Sequence, residues 1–90
     1  MILLVSYDLK TPGANYQEMY EVLKSAPHWW HFLESTWLLH SNDDVNVWQT
    51  KIKKVLGTND NFIVINVTKQ SRNGWLPKKA WEWIRTYENI

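Results

Sequence analysis

The chain has 90 residues, seven of them tryptophan and none of them cysteine, and its formal net charge is +1. Without cysteine it can form no disulfide, no thiolate metal site and no cysteine nucleophile. No apolar run approaches the ~18 residues that a membrane span requires, and the segment Met1 to Val5 lacks the basic flank of a signal peptide. We therefore expect one cytoplasmic domain over residues 1–90 with no membrane contact.

Charge is distributed unevenly along the chain. Residues 1–45 hold two basic and six acidic side chains, whereas residues 46–90 hold eight basic and three acidic ones, so the halves carry −4 and +5. Such a difference can steer an anion to one side of the protein or let two protomers attract each other. A polyanion partner ordinarily requires a larger basic excess. The cluster Lys51, Lys53 and Lys54 is typical of a solvated helix face.

The first half of the chain predicts a strand, a helix and a pair of strands. Residues 2–9 are almost continuously apolar, as in a central strand. A capping pattern over Asn15 to Glu18 then begins a helix, which Pro27 ends. Residues 28–40 favour two short strands that meet near Glu34 to Thr36. A single bent strand is the alternative there, because no glycine marks a reversal.

The second half predicts a helix, a strand and a terminal helix. A helical stripe from Val45 to Leu56 follows the capping sequence Ser41 to Asp44, and a glycine ends it. Phe62 to Thr68 is the last strand. The loop Lys69 to Gly74 contains an Asn-Gly turn signal, and Pro77 is suited to the first position of the final helix.

This order of elements indicates an α+β fold, the ferredoxin-like plait. Its βαββαβ sequence lets two crossover helices cover one face of a four-stranded antiparallel sheet. We expect this core within about residues 1–68. The loop and helix of residues 69–90 are then an addition to it.

Several segments resemble known families. The strand end Tyr7 to Leu9, the stretch Ser35 to Ser41 and the closing strand Asp60 to Ile65 are similar to the CRISPR-associated Cas-two-type proteins. The tryptophan-rich middle and the segment Gly74 to Pro77 resemble, more closely, small bacterial and phage proteins of the SinR-like family. The first likeness covers roughly residues 1–68, and the second covers nearly the whole chain.

The resemblance implies a homodimer of plaits with a shared cleft. In Cas-two-type proteins the aspartate that matches Asp8 reaches this cleft from both protomers, where some members cleave phosphodiesters with a divalent metal and others only hold DNA. Asp8 would then be the catalytic metal ligand, with Mg²⁺ or Mn²⁺ as cofactor. The first helix here carries Gln17, Glu18 and Glu21 where those proteins commonly carry basic residues, which argues against a duplex-binding surface.

Asp8 also has an ordinary structural interpretation. It lies at the C-terminal end of the first strand, where small α/β folds keep their chemistry, but an aspartate before a Thr-Pro-Gly turn often accepts backbone N–H bonds in the loop. The histidines do not have the spacing of metal ligands, so they indicate no metal site beside Asp8. His28 and His31 are three positions apart, so on a strand they face opposite sides, and His40 is remote in sequence.

Two segments are suited to a nucleotide. The first offers flat rings beside hydrogen-bonding groups for a base edge or ribose, through Trp30, Glu34, Ser35, Thr36 and Trp37. Stacking a base on such a ring contributes roughly 1–3 kcal/mol. Strand alternation must, however, point half of these aromatic rings into the core or a dimer seam.

The second segment is the loop with Arg72, Asn73 and Trp75. A guanidinium near free backbone donors is suited to a phosphate, although a loop that only returns a helix to the sheet looks the same in sequence.

We therefore expect a dimeric protein that binds a nucleotide or short nucleic acid and need not catalyse a reaction. A phage-encoded form would sequester a signalling nucleotide in the host cytoplasm. The alternatives are a metal-dependent nuclease that uses Asp8 and a protein-interaction or regulatory module whose exposed tryptophans anchor a partner.

Overall fold

Residues 1–10 and 16–89 are described by the computed structural model. Their elements are β1 (Ile2–Asp8), α1 (Tyr16–Lys24), β2 (His28–Leu33), β3 (Thr36–His40), α2 (Val45–Lys53), β4 (Asn61–Asn66) and α3 (Lys78–Glu88). The strands form one antiparallel sheet in the order β2-β3-β1-β4. The predicted cap Asn15 and the Thr-Pro-Gly turn at residues 11–13 lie outside the described residues.

Strand β1 runs through the middle of the sheet, buried on one face and partly covered by α3 on the other. Leu3 and Val5 face α1 and α2, whereas Ile2 faces α3. Cover on both faces is the physical reason for the apolar run from Ile2 to Val5, since neither face needs polar side chains there. On its two sides β1 pairs with β3 and β4, and the register sets Ser6 opposite Thr36.

Helices α1 and α2 pack against the same face of the sheet. Met19 and Leu23 of α1 are buried there together with Trp48 and Ile52 of α2. Each buried side chain of this size contributes roughly 1.5–3 kcal/mol to folding. In each helix the two buried residues are four positions apart, the spacing that places side chains on one side of a helix.

Helix α3 packs on the opposite face and covers only half of it. Ala80 and Ile84 are buried against Trp30 and its neighbours, whereas Phe32 is 63% exposed and Ile63 is 54% exposed. We call the uncovered part the open half-face, and its members are exposed or half-buried: Ser6, Phe32, Leu33, Thr36, Ile63 and Ile65. Leu33 and Thr36 lie at its border with the part that α3 covers.

The reversal after β2 is a hairpin, so the alternative of a single bent strand is wrong. Glu34 and Ser35 join the two strands without a glycine. The Ser35 carbonyl accepts the Tyr7 N–H at 3.1 Å, and His31 Nε2 lies 2.9 Å from the Glu34 carbonyl oxygen. Contacts with a ring and with the neighbouring strand hold the turn, which is why it lacks the usual sequence signal.

The cap of α2 differs from the one predicted. Asp44, rather than Ser41, is the N-cap, because its Oδ1 accepts the N–H groups of Asn46 and Val47 at 3.0 Å each. Ser41 has another role, since its Oγ accepts the indole N–H of Trp48 at 3.1 Å. A buried indole donor is thereby paired.

Two elements end earlier than predicted. Helix α2 ends at Lys53 rather than at Gly57, because residues 55 and 56 donate their N–H groups to carbonyls three positions back and so tighten the last turn. Strand β4 ends at Asn66 rather than at Thr68. Thr68 has turned its side chain to the sheet, where its Oγ1 accepts the Ile2 N–H at 2.8 Å.

None of the helices in residues 1–10 and 16–89 combines the length and the hydropathy needed to cross a membrane.

Candidate ligand cavity beneath helix α3

A cavity of about 210 Å³ lies between α3, the loop of residues 67–77 and the face of the sheet opposite α1 and α2. We call it the α3 cavity. Its walls are mostly apolar, with a smaller group of hydrogen-bonding side chains on the loop and on β3. The apolar lining is Ile2, Leu4, Trp30, Leu33, Leu38, Val67, Leu76, Trp81 and Ile84, and the polar lining is Thr36, Gln70, Ser71, Arg72 and Asn73.

The cavity brings together four of the residues predicted to bind a ligand. Trp30 and Thr36 come from neighbouring strands, whereas Arg72 and Asn73 come from the loop that leads to α3. The two candidate segments of the sequence therefore meet in one place. Strand pairing explains the first half of this arrangement, because β2 and β3 lie side by side.

Trp30 forms a wall of the cavity rather than an open platform. It is only 4% exposed, and its ring lies 5.2 Å from that of Phe32. Its indole N–H has no hydrogen-bond partner among the described residues. An unpaired buried donor of this kind costs roughly 1–3 kcal/mol.

Trp37 lies on the other face of the sheet and belongs to the core, contrary to its prediction as a base-stacking residue. It is fully buried, its ring stacks on His31 with centroids 4.0 Å apart, and its Nε1 donates to the Tyr7 hydroxyl at 3.2 Å. Burial raises the pKa of Tyr7 to about 12. No face of the Trp37 indole is open to a ligand.

Arg72 is tied to the protein itself. Its Nη1 forms an ion pair with Oε1 of Glu88, and its Nη2 donates to the Val67 carbonyl at 2.6 Å. The hydrogen bond from this guanidinium lowers the pKa of Glu88 below its usual value. Arg72 therefore holds the loop against α3 and does not present the free cation expected of a phosphate site.

Three further predicted residues lie outside the cavity. Glu34 and Ser35 form the hairpin turn, and the Ser35 carbonyl is used in that turn. The Trp75 side chain is fully exposed. None of the three lines the cavity that Trp30 and Thr36 share.

Asp8 ends β1, as predicted, and its carboxylate lies at the surface. Its role as a metal ligand shared with a second protomer stays a prediction. Its side chain is 62% exposed and pairs with Lys10 Nζ at 3.2 Å. Within residues 1–10 and 16–89, no three histidine, aspartate or glutamate side chains gather where they could hold a metal ion. The carboxylate that holds nearby backbone is Asp60, which accepts the N–H of Lys10 at 2.7 Å and that of Gly57 at 2.8 Å.

The histidines lie on both faces of the sheet, as strand alternation predicts for His28 and His31. His31 stacks on Trp37 in the core, whereas His28 stacks on Tyr87 of α3 with ring centroids 4.2 Å apart. His40 is the cross-strand partner of His28. Two of the three histidine rings thus help to seat α3 on the sheet.

Sequence reasoning missed Gln70, Ser71, Leu76 and Trp81 as cavity residues. The helical stripe of α3 could have indicated Trp81, because it shares a side with Ile84. Nothing local indicates the loop residues, since their position depends on where α3 docks.

Comparison with protein-family models, with curated proteins and with solved structures finds no match to this chain. The resemblance to Cas-two-type and SinR-like proteins therefore stays a prediction from sequence.

Proposed function

We propose that the protein is a cytoplasmic, non-catalytic binding domain that holds the base of a nucleotide, or of one residue of a short nucleic acid, in the α3 cavity. The observation that carries the proposal is the meeting of two indole-containing walls, from Trp30 and Trp81, with the hydrogen-bonding side chains of Thr36, Gln70 and Asn73. Asp8 has no part in it.

The size of the cavity is suited to one ring system. An apolar protein cavity of about 150 Å³ is large enough to bind benzene, whereas drug-sized ligands occupy roughly 300–1,000 Å³. The α3 cavity, at about 210 Å³, lies between these sizes. A single base fits a cavity of this volume, and a whole nucleotide would extend out of it.

The chemistry of the lining supports a base as well. A base has two apolar faces and an edge of donors and acceptors, and proteins bind it by stacking together with side-chain hydrogen bonds. The Thr36 hydroxyl and the Gln70 amide can both donate and accept. The side-chain oxygen Oδ1 of Asn73 accepts the Gly74 N–H at 2.8 Å, which leaves the side-chain N–H groups of Asn73 for a ligand.

Exposed basic residues lie near the α3 cavity, in the loop and at the start of α3. Lys69 precedes Gln70 in the loop, and Lys78 and Lys79 begin α3. All three side chains are exposed, so a phosphate or a neighbouring nucleotide outside the cavity would meet positive charge in solvent. Such contacts are screened by salt and contribute modestly to affinity.

We further infer that the fold is a ferredoxin-like plait with an added helix. Two β-α-β units support this: β1-α1-β2 and β3-α2-β4 interleave in the antiparallel sheet, and α1 and α2 share a face of it. On this view α3 is the addition, and the cavity exists because α3 covers half of the face that a plait leaves bare.

We also propose a homodimer in which the open half-face packs on a second copy of itself. A self-complementary contact is favoured because this surface is largely apolar and none of its six members is charged. Light scattering should find a dimer that Ile63→Asp converts to a monomer. Val47→Asp, a similar change on an exposed position of α2, should leave it dimeric, and a wild type that is monomeric at every concentration would contradict the dimer.

The binding proposal is tested by calorimetry with a panel of bases, nucleosides and mono-, cyclic and oligonucleotides. We expect micromolar binding of at least one base type. Leu4→Phe should abolish it by filling the cavity from the central strand, whereas Val47→Phe, the control on α2, should not change it. Absence of binding across the panel, or equal affinity in both variants, would refute the proposal.

A further inference from the structure

We infer that the α3 cavity binds the uncharged ring and gains little from a phosphate, so that a nucleoside binds as tightly as its 5′-monophosphate. This inference rests on the proposed function and names its ligand class more closely. The juxtaposition that carries it is the pairing of Arg72, a cavity residue, with Glu88 of α3.

Charge inside the cavity is balanced before any ligand arrives. Among the described lining residues Arg72 is the one with a charged side chain. Glu88 neutralises it from the last turn of α3, and its second terminal nitrogen donates one hydrogen bond to the Val67 carbonyl. A ligand therefore meets a site with hydrogen-bonding groups but no net charge.

The Arg72–Glu88 ion pair lies at the surface, with both side chains partly covered. The two side chains are 27% and 18% exposed. An anionic group that took Arg72 would have to displace Glu88, which would keep only its interactions with Lys69, so the exchange of one anion for another contributes little net binding energy. The anion would in addition lose its own hydration. An uncharged base does not bear this cost.

The loop position depends on the same pair. Arg72 ties the middle of the loop to Val67, where the loop begins, and to Glu88 in the last turn of α3. Drawing the guanidinium toward a ligand phosphate would therefore loosen the wall that also carries Asn73 and Leu76. The phosphate of a bound nucleotide is thus directed outward to solvent, where it adds little binding energy.

The test compares nucleosides with their 5′-monophosphates by calorimetry. For the wild type we expect dissociation constants within about threefold of each other and little change with salt, since no desolvated ion pair forms with the phosphate. Glu88→Gln releases Arg72, so the monophosphate should become favoured by about tenfold at low salt and lose that preference at high salt.

Two controls make the result specific. Glu82→Gln is the same charge change on an exposed side of α3 and should leave the affinity ratio at its wild-type value. The double variant Arg72→Gln/Glu88→Gln removes both charges and should also have the wild-type affinity ratio. If Glu88→Gln alone does not fold, the affinity ratios of the wild type and of the double variant still test the inference.

The outcomes separate this inference from the proposed function. A wild type that binds the monophosphate at least about tenfold tighter than the nucleoside overturns this inference but leaves base binding intact. A failure of every ligand to bind overturns both. Equal affinities together with the shift in Glu88→Gln support both.

Discussion

Trp37 donates its indole N–H to the hydroxyl of Tyr7, and this hydrogen bond of 3.2 Å joins β3 to β1 in the core beneath α1 and α2. Removing the hydroxyl in Tyr7→Phe leaves a buried donor without its acceptor. We expect the free energy of unfolding to fall by about 1–3 kcal/mol, measured by urea denaturation. Tyr16→Phe, at a 45% exposed ring, is the matched control and should change it little.

The same phenol makes stability depend on alkaline pH. Burial raises the pKa of Tyr7 to about 12, against roughly 10 in an unfolded chain. Below pH 10 both states keep the proton, so Tyr7 adds no pH dependence. Between about pH 10 and 12 the unfolded state loses the proton first, and the free energy of unfolding should fall by up to roughly 2–3 kcal/mol. Tyr7→Phe should lack this component, and an equal decline in both proteins would contradict the assignment.

Acid pH should act on the Arg72–Glu88 pair. Because the guanidinium lowers the pKa of Glu88 in the folded protein, the contribution of the pair is complete above the usual glutamate pKa and is lost as the pH falls through the lowered value. Thermal unfolding of the wild type and of Glu88→Gln should therefore converge as the pH is lowered. A difference that stays constant with pH would show that the pair is not ionic.

Two adjacent aspartates before α2 should differ in how much they stabilise the fold, because only Asp44 is the N-cap. Asp44→Ala removes the acceptor for two backbone N–H groups and should cost about 1 kcal/mol. Asp43 forms a surface ion pair with Lys51 at 3.4 Å, so Asp43→Ala should cost less, at most about 1 kcal/mol. Denaturant titration of both variants checks the order, and a larger loss for Asp43→Ala would contradict the assignment of the cap.

Local patterns predicted the elements because each depends on neighbours in sequence. The continuous apolar run of β1 and the stripes of α1 and α2 follow from burial, and these could be seen in the residues alone. The loop before α3 shows the limit of such signals. Its Asn-Gly pair predicts a turn at Gly74, yet the left-handed residue is Lys69, with φ of 55°, while the Asn73 side chain accepts the Gly74 N–H.

The site could be predicted only in part, because it depends on strand register and on the docking of α3. Trp30 pairs with Leu38, so Trp37, one position away, must point to the opposite face. Both tryptophans look alike in sequence, and only the register separates the wall of the cavity from the core. Glu88 neutralises Arg72 from sixteen positions away, which no local pattern reveals.

The indole N–H signals of the seven tryptophans offer the most direct test of base binding in the α3 cavity. Two-dimensional ¹⁵N NMR during titration with a nucleoside that binds should move the indole signals of Trp30 and Trp81, which line the cavity, and leave those of Trp37 and Trp48, buried on the other face. Shifts at Trp37 or Trp48 without shifts at Trp30 and Trp81, or no shift in any of the seven at saturation, would contradict the account.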